Sequence, residues 1–446
     1  MSFFRHINAI SVSSKKKSTK IQGGVAYCTS NILKKCLSFT VSLFIFWGMV
    51  PQQAFGEEVT SPDLVISSAE QLVEFQRSVN SGYGFNGKTV KLVRDIDLSD
   101  FSWTPIGSDT MPFSGTFAGA NHTISNLTSS LFGTISGATV KNLSLKKINI
   151  NGGDRNTAGI CQIAINDSII TGCVVREGTI KSNALNGGIC GKGTSCKIRD
   201  CVVIGCQIDG LYGGGICGYG TSCQFANCIV CAGTINATTV GGICGQANSC
   251  KFTDCVVSNS SIYSTSSGVG FLSGICAENS RITITNCYSA CSYGAANVFV
   301  VEKGYNGYFN NELPGANLFA GHPSAGVGLS ATDYEKKLRE FCASNPKIAK
   351  WEEYLFPKMP QIGDFVCTLP DELAYDGKGK VVTIKPKDGI TGMGEVTVKY
   401  FKVDPYGNEI QLTTPQLPTD AGEYAVKFDV APGIEYYAAT DLPAML

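Results

Sequence analysis

Short hydrophobic runs that recur at a fixed interval dominate the middle of this chain. The word Gly-Ile-Cys occurs five times at intervals of 29, 27, 27 and 32 residues, with its cysteines at Cys161, Cys190, Cys217, Cys244 and Cys276. A second cysteine follows each of these by 11 or 12 residues, at Cys173, Cys201, Cys228, Cys255 and Cys287. A third set keeps the same period, at Cys196, Cys223 and Cys250. Self-similarity at such a period is the signature of a repeat protein, so the sequence predicts a solenoid.

The residues around these cysteines have the hydrophobic pattern of β-strands. Runs such as CVVIGCQI, CIVCAGTI and CVVSNSSI are separated by Gly, Asn and Ser, and they show no helical periodicity. Three short runs in each unit of about 27 residues favour a parallel β-helix, which the general rule for parallel crossovers makes right-handed. Stacked turns rise about 4.7 to 4.9 Å each, so equivalent residues of successive turns form columns.

An earlier turn indicates what the cysteines do. Phe132 and Leu143 stand where later turns have cysteine, and Leu143 and Leu145 flank the polar Ser144. Because alternate residues of a strand point to the same face, the inward position accepts leucine or cysteine. We therefore predict that the three sets of cysteines are structural core columns of buried, space-filling side chains.

Two other interpretations of the cysteines stay open at this point. Disulfides are common in exported proteins, and stacked Cα atoms about 4.8 Å apart fall within the disulfide range of roughly 4.4 to 6.8 Å. Zinc needs about four nitrogen or sulfur ligands, which the cysteine spacing could supply. Leucine at the equivalent position of the earlier turn favours thiols over both alternatives.

Amphipathic segments bound the repeats. Ser67 to Glu70 form a capping box that opens the segment AEQLVEFQRSV, whose Leu72, Phe75 and Val79 share one face. This predicts a helix that covers the first coil. A second helix is predicted from Ser330 to about Ser344, at the other end of the repeats.

The last part of the chain has a different pattern. From Thr368 onward, alternating strands with turn residues between them occur at the spacing of a β-sandwich. The predicted fold class is therefore all-β, a right-handed parallel β-helix with capping helices followed by a small β-sandwich domain. The predicted domains are residues 57–363 for the solenoid and 364–446 for an immunoglobulin-like module, either complete or ending before its final strand.

Residues 1–56 have the order of a secretory signal peptide. They contain seven basic residues and no acidic one, followed by a 14-residue apolar run from Leu37 to Val50 and the small-residue site Ala54-Phe55-Gly56. Spanning a bilayer takes about 20 apolar residues, so a membrane anchor is the weaker alternative. We predict cleavage between Gly56 and Glu57, no membrane span in the mature protein, and a secreted or cell-surface location.

Composition and charge restrict the chemistry. Of the 446 residues, 16% are charged, and removing residues 1–56 leaves 29 basic and 36 acidic residues, a net charge of −7. An acidic chain without a basic patch does not indicate a nucleic-acid partner. The three histidines, His6, His122 and His322, are too few for a histidine-rich metal or acid-base site.

Candidate sites are sparse. Asp95, Asp97 and Asp100 form the one local acidic cluster, and alternation with Ile96 and Leu98 favours a solvated strand edge. Tyrosines within the repeats could stack on sugars: Tyr212, Tyr219, Tyr263, Tyr288 and Tyr293. A polysaccharide-degrading solenoid would instead need two or more acids and an Arg or Lys in an outer cleft. The sequence therefore predicts no catalytic, metal or cofactor-binding residue and no cofactor.

Several sequence motifs together resemble those of the bacterial surface proteins that carry GLUG motifs. They are DIDLSDFSWTPIG, FSGTFAGANHTISNL, LFG and the repeated GGICG, over roughly residues 64 to 362, although Ile-Cys replaces the family's usual Leu-Val. The segment from Thr368, with Tyr375-Asp376-Gly377 and Ala421-Gly422-Glu423-Tyr424, is similar to MBG-type immunoglobulin-like modules. The resemblance implies adhesin-like function and no shared catalytic residue.

The resulting functional prediction is a secreted or surface adhesin-like protein without enzymatic activity. Its expected partner is a carbohydrate or an extracellular host protein, bound by a monomer through one face of the solenoid. The alternatives are a polysaccharide-degrading lyase or hydrolase built on a β-helix, and a purely structural surface spacer.

Overall fold

The solenoid is present as predicted. The computed structural model describes residues 62–265, 270–294, 298–299, 305–310, 327–370, 378–413, 417–431, 433–437 and 439–444. Strands make up 49% and helices 11% of the structure, which is a parallel β-solenoid of about 8 turns followed by a small antiparallel domain. This confirms the predicted all-β fold class. The predicted leader and its Gly56/Glu57 cleavage site lie outside the described residues.

The strands of successive turns stack into four columns. Column 1 contains Leu64–Ile66, Thr89–Leu92, Thr116–Ala118, Thr139–Lys141, Ile169–Thr171, Lys197–Arg199, Gln224–Ala226 and Lys251–Thr253. Column 2 contains Ile96–Asp97, Thr123–Ser125, Ser144–Lys146, Val174–Lys181, Val202–Gly214, Ile229–Cys231, Val256–Ser264, Thr283–Gly294, Tyr305–Asn310 and Val327–Leu329. Column 3 contains Thr157–Ala158, Leu185–Gly187, Thr234–Gly241, Gly270–Ser273 and Val298–Phe299. The short strand Asn149–Asn151 lies in the same turn as Thr157–Ala158 and pairs with the end of Val174–Lys181 in column 2. Column 4 contains Phe132–Ser136, Cys161–Ile165, Cys190–Thr194, Cys217–Thr221, Cys244–Asn248 and Cys276–Ser280.

Long strands connect the first three columns. Val202–Gly214 turns the corner from column 2 into column 3, and Thr283–Gly294 pairs with strands of both column 1 and column 2. Columns 1 to 3 therefore form one 24-stranded sheet, whereas column 4 is a separate six-stranded sheet. Every strand pair in the two sheets is parallel and in register over most of its length.

Inward side chains fill the solenoid with stacked hydrophobic residues. In column 1 the inward positions align from turn to turn and are all buried: Val90, Phe117, Val140, Ile170, Ile198, Phe225, Phe252 and Ile284. The rings of Phe225 and Phe252 stack with their centroids 4.8 Å apart and their planes 5° apart. That separation equals the rise of one turn, so the core repeats with the backbone.

The cysteines occupy this interior. The Gly-Ile-Cys residues are direct register partners in column 4, continuing from Phe132 through Cys161, Cys190, Cys217, Cys244 and Cys276. The first four cysteines of the second set directly precede aligned strands of column 2, and Cys287 lies within Thr283–Gly294. The third set directly precedes aligned strands of column 1. All thirteen side chains are buried as thiols. Burial raises the pKa of the Cys201 and Cys228 thiols above the ordinary range and that of Cys206 to about 12.

Thiol labelling tests this arrangement. Because the reagent must reach the sulfur to react with its thiolate, the buried thiols should resist alkylation in the folded protein. Of the 18 cysteines from Cys161 to Cys367, Cys367 alone is partly exposed. Mass-spectrometric mapping after brief iodoacetamide treatment should find rapid labelling only there, and Cys367→Ser should abolish it. All 18 should react after unfolding without reductant, whereas a shortfall would reveal disulfides and contradict the thiol assignment.

The residue before each cysteine of the second set makes a tight corner. The φ angle is positive, between 51° and 64°, at Gly172, Asp200, Asn227, Asp254 and Asn286, and also at Asn142 before the equivalent Leu143. Gly, Asn and Asp adopt this left-handed conformation most readily. Neighbouring side chains also pair, since Asn227 Nδ2 donates to Asp200 Oδ1 at 3.0 Å and Asn286 Nδ2 donates to Asp254 Oδ1 at 2.7 Å. The Asn/Asp/Gly-Cys word thus encodes a corner as well as a core position.

Helix α1, Ala69–Asn80, covers the first coil. Ser68 caps its N-terminus by accepting a hydrogen bond from the Gln71 backbone N–H. Its apolar face is buried, and Phe75 packs edge-on against Phe113 at a centroid distance of 5.7 Å. This contact protects the apolar end of the solenoid from solvent.

The second group of helices lies along the side of the solenoid. It consists of α2, Ala331–Ser344, α3, Pro346–Ala349, and α4, Glu352–Leu355. Outward-facing residues of column 2 are apolar here and form one buried cluster with these helices: Val202, Ile204, Ile229, Cys231, Val256, Tyr288 and Ala290. Phe341 of α2 stacks on Tyr288 at a centroid distance of 4.8 Å. The helices therefore add a second hydrophobic core outside the first.

The C-terminal domain is small and antiparallel. Phe365–Thr368 pairs with Thr383–Pro386, and a second sheet has the order Glu409–Gln411, Val396–Val403, Glu423–Val430, Ala439–Pro443. Lys358 forms a bridge with Tyr436 through backbone hydrogen bonds of 2.8 and 2.9 Å, which attaches this domain to the segment after α4. In the described residues no helix is both long enough and apolar enough to cross a membrane.

Candidate functional site

A polar cleft of about 670 Å³ opens on the outer side of column 4 near its first strand. One wall is the segment from Ile106 to Phe113, whose two ends form isolated bridges with Phe132 and Ile135. The residues between these ends bulge outward instead of continuing the strand, so this turn has an interrupted rung. The bulge closes on itself through hydrogen bonds between the backbones of Ser108 and Met111.

Helix α1 holds this bulge in place. Asn80 at the end of the helix donates to the Pro105 carbonyl at 3.1 Å and accepts from the Gly107 N–H at 2.7 Å. Gly107 has φ +80°, and a side chain there would lie 2.7 Å from the Thr134 carbonyl oxygen. Only glycine fits this left-handed position against the neighbouring backbone.

The opposite wall is the loop from Asn151 to Asn156, between the strands Asn149–Asn151 and Thr157–Ala158. Gly153 turns it with φ +60°, and the loop is linked to the following turn because Asn183 Nδ2 donates to Asp154 Oδ1 at 3.0 Å. The floor is formed by outward residues of column 4, including Thr134 and Gln162. Strands thus supply a rigid floor, and two loops supply the walls.

The lining is polar and carries both signs of charge. Asp109 and Asp154 contribute carboxylates and Arg155 a guanidinium, all exposed to solvent. Thr134 Oγ1 donates to Asp109 Oδ1 at 2.6 Å, which orients that carboxylate over the floor. Such a cleft can bind a polar chain by hydrogen bonds and ion pairs.

The predicted acidic cluster lies elsewhere and fastens neighbouring turns. Asp95 accepts from the Thr123 N–H at 3.0 Å and contacts His122 Nδ1 at 3.1 Å. Asp97 accepts from Asn126 Nδ2 at 2.6 Å. These hydrogen bonds lower the pKa of both carboxylates. Their arrangement is that of the solvated strand edge that the sequence favoured.

The tyrosines of the repeats do not form one surface. Tyr288 is buried beneath α2, whereas Tyr212 and Tyr219 are half-buried and Tyr263 is exposed. Tyr219 lies on column 4 between Lys192 and Gln246 of the adjacent turns. The side chain of Tyr293 lies outside the described residues.

Metal ligands are not grouped in the part of the chain that the structure describes. No set of three or more His, Cys, Asp or Glu side chains there could hold a metal ion. Of the histidines, His122 is described, and its ring is committed to Asp95. The described residues therefore do not fit a catalytic metal centre.

The fold and cleft define a class, a parallel β-solenoid with a polar cleft between two loops on one side. Within this solenoid, residues 110–176 match the family described as the M26 IgA1-specific metallo-endopeptidase N-terminal region. No curated protein matches the chain.

Two solved structures are similar to this chain. One is named IgA1 protease, is 20% identical with a TM-score of 0.42, and is matched over 56% of this chain and 21% of its own. The other, a Bacteroides ovatus protein proposed to be an immunoglobulin A1 protease, is 18% identical with a TM-score of 0.43, matched over 63% of this chain and 87% of its own. This chain thus spans about a fifth of the length of the first.

The family match corrects the functional prediction. The predicted GLUG-motif, adhesin-like surface protein with an MBG-type module is wrong, because the matching family is a peptidase family. The same finding contradicts the expected absence of enzymatic activity. The sequence motifs that resemble the GLUG family indicate a β-solenoid with short turns. Such solenoids occur in proteins of different function.

The spacing of the first turns in the sequence contains a signal for the cleft. Phe132 to Cys161 and Cys161 to Cys190 are 29 residues apart, against 27 for the next two intervals. Part of the additional length of the first turns lies in the loop NGGDRN, residues 151–156. In a repeat protein, insertions above the basic period map to loops, and such loops often form the binding face.

Proposed function

We propose that this protein is an IgA1 protease-like peptidase that is secreted or displayed at the cell surface. The solenoid is its N-terminal region, and its role is to hold an immunoglobulin A1 substrate. The observation that carries the proposal is the family match over residues 110–176. Eight residues of that stretch line the cleft, among them Asp154, Arg155 and Gln162.

The geometry of the cleft supports a substrate-holding role. The floor strand Cys161–Ile165 is paired on both sides, and the outer edge of Phe132–Ser136 is bridged by Ile106 and Phe113, so a bound chain would contact side chains rather than add a strand. The charged groups stand on two loops whose bases are fixed by hydrogen bonds to α1 and to the next turn. A preorganised polar site of this kind loses little entropy on binding. Because the described residues do not fit a catalytic metal, we assign them to substrate binding and derive no cleavage step from them.

A combined binding and cleavage assay tests the proposal. The full chain is incubated with immunoglobulin A1, with and without EDTA, and heavy-chain fragments are resolved by electrophoresis. Binding to immobilised immunoglobulin A1 is measured in parallel, with immunoglobulin G as the control. We expect selective binding of immunoglobulin A1 over immunoglobulin G, and any heavy-chain fragments should disappear with EDTA.

Substitutions in the cleft connect the assay to the structure. Arg155→Gln and Asp154→Asn are expected to weaken immunoglobulin A1 binding by about tenfold each, equivalent to roughly 1.4 kcal/mol. Lys192→Gln, an exposed residue further along column 4, is the matched control and should leave binding within about twofold. A chain that neither cleaves nor selectively binds immunoglobulin A1 would refute the proposal.

A further inference from the structure

A second cleft, of about 420 Å³, lies on the outer side of column 2, against the segment between α3 and α4. The residues that matter are two asparagines, three cations and one indole: Asn121, Asn142, Lys146, Arg176, Lys350 and Trp351. Its lining shares no residue with the first cleft. The solenoid supplies four of the six residues, and the helical segment supplies Lys350 and Trp351.

The lining of this cationic cleft contains three positive charges and no carboxylate. Lys146 and Arg176 are register partners on adjacent turns, so their side chains start about 4.8 Å apart. Lys350 Nζ lies 5.3 Å from the centroid of the Trp351 ring. Lys146 also contacts Glu177 at 3.4 Å, and Glu435 interacts electrostatically with Arg176, so two carboxylates outside the lining offset two of the three charges and leave one cation in excess.

Arg176 has a hydrogen-bond donor that is unmet within the protein. Its Nε is buried and has no hydrogen-bond partner among the described residues. Leaving a buried donor unsatisfied costs about 1 to 3 kcal/mol, and more for a charged group. A carboxylate is the acceptor that fits a guanidinium best, because it accepts two parallel N–H hydrogen bonds. Arg176 lines the cleft and is half-buried, so a carboxylate there can pair with its guanidinium, whereas the Nε atom itself is closed to solvent.

We propose that the cationic cleft binds an acidic segment of a protein chain. One carboxylate pairs with Arg176, and others meet Lys146 and Lys350. Trp351 covers the apolar stems of the acidic side chains, and the carboxamides of Asn121 and Asn142 match peptide groups, since each can both donate and accept. The inference rests on the proposed function, because a protein substrate held in the first cleft would gain a second contact here.

Fluorescence polarisation with the full chain tests this inference. The probe is a fluorescein-labelled decapeptide of glutamate, compared with the glutamine decapeptide and with polygalacturonate, at about 50 mM salt to limit screening. We expect the glutamate peptide to bind at least about tenfold more tightly than either comparison probe. Equal binding of the glutamine peptide, or tighter binding of polygalacturonate, would overturn the proposal.

Three variants locate the binding. Lys350→Gln, Trp351→Phe and Arg176→Gln should each weaken glutamate-peptide binding by about fivefold or more, whereas Lys192→Gln should not. Lys350 is exposed, so its substitution leaves the fold intact even if Arg176→Gln lowers the melting temperature. Binding that survives all three variants would place the acidic peptide elsewhere and refute the site.

The two proposals fail separately. Binding of the glutamate peptide without binding or cleavage of immunoglobulin A1 would refute the proposed function and leave the acidic-peptide site standing. Cleavage of immunoglobulin A1 without binding of the glutamate peptide would refute the site alone.

Discussion

Gly215→Ala is expected to lower the free energy of unfolding by about 3 kcal/mol, the upper end of the usual cost of overpacking. A methyl group at this position would lie 2.3 Å from the Gly242 carbonyl oxygen and 2.6 Å from a Val230 methyl. The first contact is with the backbone of the next turn, which cannot move without breaking the register of the column. The same crowding occurs at the equivalent Gly188 and Gly242.

Urea unfolding monitored by circular dichroism measures this effect. Gly363→Ala is the matched control, because a methyl group there would meet no atom within 4 Å. The control should change the free energy of unfolding by less than about 1 kcal/mol in either direction. Equal urea midpoints for the two variants would show that the paired glycines of Gly-Gly-Ile-Cys are not needed for close stacking.

Phe341→Ala is expected to release α2 from the side of the solenoid. Truncating a buried phenylalanine typically costs about 3 to 5 kcal/mol. Phe341 is 5% exposed and stacks on Tyr288, in a cluster separate from the solenoid core. The loss should therefore appear as local unfolding of the helices while the solenoid remains folded.

Hydrogen exchange resolved by peptide reports this release. Amides of residues 331–355 should exchange faster in Phe341→Ala, whereas amides of column 4 should keep their protection. Glu340→Ala, an exposed neighbour on the same helix, should change neither. Equal loss of protection in column 4 would mean that the helices and the solenoid unfold as one unit, contrary to the prediction.

The repeat period of the sequence was enough to predict the solenoid, because each turn pairs in register with the next. Leu143 occupies the position that Cys173 and Cys201 have in later turns, which indicated that this position faces inward. The alternation of side chains along each strand then showed which face is buried. Alternation predicts polar residues at the outward positions that follow the second cysteine set. These positions are apolar instead, at Val202, Ile229 and Val256. They were a signal that something covers column 2, but the pattern did not say which segment does so.

The functional prediction failed for a related reason. Motifs such as GGICG reflect how the turns stack. Gly215 lies too close to the backbone of the next turn for a larger residue, so the motif recurs for a structural reason that is independent of function. The residues of the candidate site stand on loops, at Asp109, Asp154 and Arg155, which have no repeat partner to make them visible. Function in repeat proteins lies in such departures from the period.

Sequence alone determined the parallel β-solenoid, its inward cysteine positions and the helix at its first coil, because these depend on local periodicity and on contacts between neighbouring turns. The tertiary structure decided where α2 packs, how the bulge at Gly107 and the loop at Gly153 enclose one cleft, and that Trp351 meets Lys146 and Arg176 in another. Those contacts join residues that are far apart in the chain and follow no period. Only the folded backbone brings them together.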